Sequence, residues 1–229
     1  LSYYPKYDKE ILKAKEFIQQ HRREDNGYAC YNEKDIRKHP GFTRFKDVSV
    51  DGWCKSTVDI SVIVAKTIFE ERDNIKEYVL KQKQKDEWQS YWWNSNIYST
   101  AYVLDEFSEL RTKEITRKFA KATRKTKNPL YRALALKEMY LCDQSKYPLR
   151  KQIKTLIKMQ ELDGSWPSRP SLRVPHPSNI NPEIDLSRWR EDCADQNRIF
   201  TTVTAYHALQ NLHERDYMTV RESITDRWN

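Results

Sequence analysis

Glycine is nearly absent, with four residues in a chain of 229, where an average soluble protein carries roughly 7%. Gly27, Gly41, Gly52 and Gly164 cannot build a glycine-rich phosphate loop or a dinucleotide fingerprint, and they disfavour a fold of many tight hairpins. Long apolar runs are missing as well. The longest aliphatic stretch is Val62-Ile63-Val64-Ala65, far short of the roughly 20 residues of a membrane span, and no signal peptide opens the chain. Cysteine is sparse: Cys30, Cys54, Cys142 and Cys193 have the spacing of neither a zinc ribbon nor a small disulfide scaffold. Reduced thiols in a cytoplasmic protein are the expectation. The first residue is Leu1 and not Met, so the chain reads as processed or as a piece of a longer one.

What is present points to helices. Charged residues make up 32%, hydrophobic 38% and aromatic 12%, enough large apolar surface for one or two packed domains. The formal net charge of +8 is unevenly placed. From Arg111 to Lys158 fifteen Lys and Arg face three acids, leaving 26 basic and 30 acidic residues elsewhere. This predicts one basic surface, a solvated face suited to peripheral contact with an anionic membrane or to an acidic partner. No nucleic-acid recognition motif accompanies it.

Apolar periodicity predicts helices near Asp8–Arg22, Cys54–Glu71, Asn74–Gln84, Asn94–Leu110, Lys113–Lys125, Pro129–Leu141, Pro148–Gln160 and Arg198–Leu212. Ile60–Ala65, Tyr98–Leu104 and Val203–Leu209 look buried on every side, whereas Lys76–Gln84, Lys113–Lys125 and Arg150–Lys158 are amphipathic and basic outside. Such alternation describes inner helices ringed by outer ones. Three outer helices end in Gln and run through a polar loop to an aromatic residue: Gln19-Gln20 to Tyr28, Gln82 and Gln84 to Trp88, and Gln160 to Trp166. Thr-Ala-Tyr follows twice, at Thr100-Ala101-Tyr102 and Thr204-Ala205-Tyr206. A helical hairpin cannot bury its apolar face alone, so several must stack.

Gln160-Glu161-Leu162-Asp163-Gly164-Ser165-Trp166 resembles the QW motif of the squalene–hopene and oxidosqualene cyclases, and Asp86–Trp93 and Gln19–Tyr28 resemble degenerate copies. The resemblance implies an all-α chain of the α/α toroid type found in terpenoid cyclases and protein prenyltransferases. It would be a single domain over 1–229, a partial ring of about four hairpins, with a Pro-rich insertion at 167–190. It further implies a protein resembling a class II terpene cyclase, which starts cyclisation of a polyprenyl substrate by protonation and needs no cofactor. In that family an Asp-x-Asp-Asp motif runs into Thr-Ala of an inner helix, and its central acid is the proton donor. Neither Thr100-Ala101 nor Thr204-Ala205 follows an acid. Asp192 and Asp195, ahead of the last inner helix, are then the candidate donors, with helix capping as the bland reading. Trp92, Trp93, Tyr98, Tyr102, Tyr206 and His207 are candidates to line a substrate cavity, where ring faces stabilise carbocations; the alternative is plain core.

Two other readings stand beside this one. Asp51 and Cys54, preceded by Arg44 and Lys46, resemble loosely the zinc and diphosphate segment of protein prenyltransferases, with His207 as the third ligand. That alternative allows zinc or magnesium as a cofactor. A non-catalytic toroid module for binding or docking is the other. Location in the cytoplasm, with peripheral membrane association through the basic surface, completes the expectations.

Overall fold

The computed structural model describes residues 7–142, 149–181 and 194–225, without side chains for 43–45 and from 213 onward. The chain divides into two compact units, Leu1–Glu106 with Arg173–Arg188, and Phe107–Leu172 with Trp189–Asn229.

In the first unit α1 (Asp8–Gln19), β1 (Tyr28–Ala29), α2 (Glu33–Lys38), α3 (Asp51–Cys54), β2 (Ser56–Thr57), α4 (Val58–Thr67), α5 (Arg72–Lys81), β3 (Lys83–Gln84), β4 (Glu87–Trp88) and α6 (Asn96–Glu106) follow one another. The strands are two-residue clips, β1 pairing antiparallel with β2 and β3 with β4. The predicted Cys54–Glu71 helix is broken at this point. Lys55 turns extended and Ser56-Thr57 pair with β1, so the inner helix restarts at Val58. That restart puts Asp59 in the first turn of α4. Helices α4 and α6 pack together and are buried over most of their surface, with α5 against α4.

The second unit holds α7 (Lys113–Lys125), α8 (Pro129–Cys142), α9 (Leu149–Ile157) and α10 (Ile199–Thr225). Here α8 is the inner helix, buried from Pro129 to Leu136 and again at Glu138–Tyr140, with α7, α9 and α10 around it. Thr112 caps α7 by accepting from the Ile115 N–H. Ile115, Thr116, Phe119, Ala120 and Thr123 of α7 face inward while Lys113, Arg117, Lys121, Arg124 and Lys125 stay exposed, an amphipathic helix basic on its outside as the sequence led one to expect. The expectation that Val203–Leu209 is buried all round fails. Val203 and Tyr206 are 58% and 60% exposed, while Thr201, Ala205, Ala208 and Leu212 are buried and Leu209 packs beside them, a one-sided stripe at helical spacing.

The three Gln-to-aromatic loops form equivalent joints. Trp88 donates its indole N–H to the carbonyl of Val79, and Trp166 donates its own to the carbonyl of Leu156, both at 2.8 Å, satisfying the C-terminal turn of the preceding helix. The backbone N–H of the aromatic residue then donates to a hydroxyl on the following helix: Tyr28 to Ser61 at 2.8 Å, Trp88 to Thr100 at 3.1 Å, and Trp166 to Thr202 at 3.1 Å. Each loop also holds one left-handed residue, Asn26, Lys85 or Gly164. The hydroxyls correct the repeat register, since the partner of Thr100 is Thr202 and not Thr204.

Candidate functional site

Counting back two residues from the hydroxyl of each joint gives Asp59, Tyr98 and Phe200. Asp59 is 1% exposed. Its Oδ2 accepts two backbone N–H bonds, from Tyr91 at 3.2 Å and Trp92 at 3.0 Å, while Oδ1 is buried with no hydrogen-bond partner. The Thr57 hydroxyl on the same turn is buried close to the Asp59 carboxyl. Burial pushes the Asp59 carboxyl above the ordinary carboxylate range, and the N–H donors and the nearby Thr57 act in the opposite sense.

Aromatic side chains gather at the same place. Trp53, Tyr91, Tyr31, Phe42 and Trp92 form one cluster. Tyr31 stacks on Trp53 with centroids 5.5 Å apart, Phe42 meets Trp53 edge-on at 5.2 Å, and Trp92 lies 6.1 Å from Trp53 and 4.9 Å from Tyr91. The Trp92 indole N–H is buried without a partner. A polar cleft lined by Lys55, Ser56, Thr57, Tyr78, Gln89 and Tyr91 opens beside it.

The part of the Pro-rich insertion that belongs to this unit is laced to these residues. Trp53 donates its indole N–H to the Pro175 carbonyl at 2.8 Å and its backbone N–H to Pro177 at 3.2 Å. The Tyr91 hydroxyl donates to Asn179 at 2.8 Å and Lys55 Nζ to Ile180 at 2.7 Å. Gly52 permits this approach, because a Cβ there would collide with the Asn179 carbonyl and the Tyr91 hydroxyl. The insertion therefore makes an ordered cover at 173–181; residues 182–193 lie outside the described residues.

The candidates read from sequence are scattered by comparison. Asp192 lies outside the described residues. Asp195 belongs to the second unit, where its Oδ2 accepts the Thr201 N–H at 2.8 Å and so caps α10. Trp92 joins the cluster beside Asp59. Trp93, Tyr98 and Tyr102 form a separate stack with centroid spacings of 3.8 and 4.5 Å. Tyr206 and His207 are exposed on α10, His207 next to Asn211. Their placement as cavity residues assumed a buried helix, and α10 is buried on one face only.

The metal grouping is not assembled. Among the described residues no three His, Cys, Asp or Glu side chains come together. Asp51 and Cys54 sit on α3 in one unit and His207 in the other. Burial raises the Cys54 thiol to about 11, against the deprotonation a metal ligand needs. The side chain of Arg44 is outside the described set.

Asp59 precedes neither Thr100-Ala101 nor Thr204-Ala205, so an acid expected ahead of Thr-Ala does not point to it. Asp59 stands two residues before Ser61 in Thr57-Val58-Asp59-Ile60-Ser61-Val62. The signal was Ser61, which answers Tyr28 as Thr100 answers Trp88.

No protein-family model and no curated protein matches the chain. Solved structures do. The type II terpene cyclase MstE from Scytonema superposes with a TM-score of 0.70 at 22% identity, over 88% of this chain and 67% of that one. An aspartate-to-asparagine variant of MstE in complex with geranylgeranyl dihydroxybenzoate, its substrate, gives 0.70 at 22% identity over 88% and 66%. A protein from Actinoplanes gives 0.70 at 25% identity, over 85% of this chain and 66% of its own. The chain spans about two thirds of the length of these proteins. Its mostly helical architecture is a terpene cyclase-like fold.

Proposed function

We propose that the protein handles an isoprenoid substrate as a protonation-initiated cyclase, with Asp59 as the acid. The observation that carries this reading is a buried carboxyl with one oxygen held by two N–H donors and the other unclaimed, set beside a cluster of aromatic rings. Asp59 transfers its proton from Oδ1 to the methine carbon of a terminal alkene, leaving a tertiary cation on the neighbouring carbon. A second alkene attacks that cation to close a ring, and the sequence ends when a proton is lost. The Tyr91 and Trp92 N–H groups stabilise the carboxylate left behind, while the faces of Trp53, Tyr31 and Trp92 offer the cation–π attraction that cationic intermediates need. The cover at 173–181 excludes water that would quench the cation.

The MstE complexes with a prenylated aromatic acid support an elongated prenyl chain as the class of ligand. The reaction so written uses no metal or organic cofactor. Turnover of geranylgeranyl-bearing substrates by the wild-type chain and by Asp59→Asn, with products identified by mass spectrometry, tests the reading. Cyclised product from the wild type alone is expected; equal turnover by both refutes it.

A further inference from the structure

The two N–H groups that meet Asp59 belong to peptide groups whose carbonyls point at one guanidinium. The peptide joining Ser90 to Tyr91 gives its N–H to Asp59 Oδ2 and its oxygen to Arg173 Nη2; the peptide joining Tyr91 to Trp92 gives its N–H to the same Oδ2 and its oxygen to Arg173 Nε at 3.0 Å. The Arg173 backbone N–H closes the clamp on the Trp92 carbonyl at 2.8 Å. Arg173 opens the Pro-rich cover, and this chain of bonds reaches the carboxylate through the two peptide groups. Hydrogen bonds in series polarise one another, and an amide whose oxygen faces a cation is a stronger N–H donor. A guanidinium suits this task because its rigid fork engages two carbonyls at once, which a lysine ammonium on a flexible stem cannot reproduce.

We propose that Arg173 is the positioning residue of the acid: it fixes the Ser90–Trp92 segment and polarises the two peptide groups that hold Asp59, so that a cation in the cover sets the strength of the acid through the peptide groups between them. This rests on the assignment of Asp59 as proton donor, and it adds a coupling between the cover and the acid. Closing the 173–181 segment over the aromatic cluster and arming the carboxyl become one event. Among the described residues, Lys55, Tyr78, Tyr91 and Cys30 interact electrostatically with Asp59. Lys55 is the cation among them, and burial works against its charge.

The test reads Asp59 directly and without substrate. In the full chain labelled with [13Cγ]aspartate, the Asp59 carboxyl signal is assigned by its loss in Asp59→Asn and titrated in wild type, Arg173→Gln and Arg173→Lys. Expected is a titration midpoint raised about tenfold in proton affinity, roughly one pH unit, in Arg173→Gln, with Arg173→Lys in between. An unmoved midpoint in a folded Arg173→Gln overturns the proposal. If that variant does not fold, Arg173→Lys decides alone: a raised midpoint supports the proposal and an unmoved one overturns it. If no prenyl substrate is turned over, the cyclase reading fails while the midpoints still decide this one.

Discussion

The first and third joints make the same connection, Tyr28 N–H to Ser61 and Trp166 N–H to Thr202, yet two residues upstream of the hydroxyl the first carries Asp59 and the third Phe200. Asp59 is sealed from solvent with one oxygen unclaimed, and Phe200 is 39% exposed. The joint is therefore fold, and the residue two places before it is open to function. In the first unit the position is completed by a loop that donates two N–H groups, an aromatic cluster and a cover. In the second, a carboxylate does appear near the start of α10, but Asp195 is engaged by the Thr201 N–H as a helix cap.

The comparison is broken most severely at Asp59. Asp59→Asn is expected to lower cyclisation by 100-fold or more, on the order of a lost general acid, in steady-state assays. The same substitution sharpens the physics through stability. A carboxyl whose folded value is raised above its unfolded one contributes stability that is present below the ordinary carboxylate range, about pH 4, and lost as pH rises through the folded value. Asp59→Asn removes that loss, so thermal melts are expected to place the variant above wild type at neutral pH and to bring the two together as the pH falls below about 4.

Next in size come the joints themselves. Trp88→Ala and Trp166→Ala each remove a buried indole that bonds a helix-terminal carbonyl, and each is expected to cost about 3–5 kcal/mol in denaturant unfolding. Similar costs in the two units are predicted, because the joints are the same even where the chemistry is not. Smallest is Asp195→Ala, expected to cost about 1 kcal/mol as a lost N-cap and to leave turnover unchanged. A large loss of turnover from that variant would return the candidate acid to the second unit.

Much of the fold was legible in the sequence because local physics determined it. The spacing of Ile115 and Phe119 made the bounds of α7, Lys113–Lys125, readable to the residue, and the recurrence of Gln and an aromatic residue exposed the joints. The break at Lys55–Thr57 was not legible, since Lys55, Ser56 and Thr57 include no glycine or proline to end a helix, and only β1 supplies the partner that draws Ser56 and Thr57 into a strand. That break positions Asp59, so the acid was hidden with it. The exposed face of α10 was hidden for a related reason: Val203 and Tyr206 are apolar in composition, and nothing in the sequence alone separates an apolar residue in the core from one at the surface. The clamp by Arg173 joins residues more than eighty positions apart and leaves no local signature.

The central claim, that Asp59 begins the reaction by protonating an alkene, is tested most directly by turning over a geranylgeranyl-bearing substrate in D2O. The prediction is one deuterium at the carbon that was the terminal alkene methine in the wild-type product, and no cyclised product from Asp59→Asn. Cyclised product without that deuterium, or the same labelled product formed by Asp59→Asn at the wild-type rate, would contradict it.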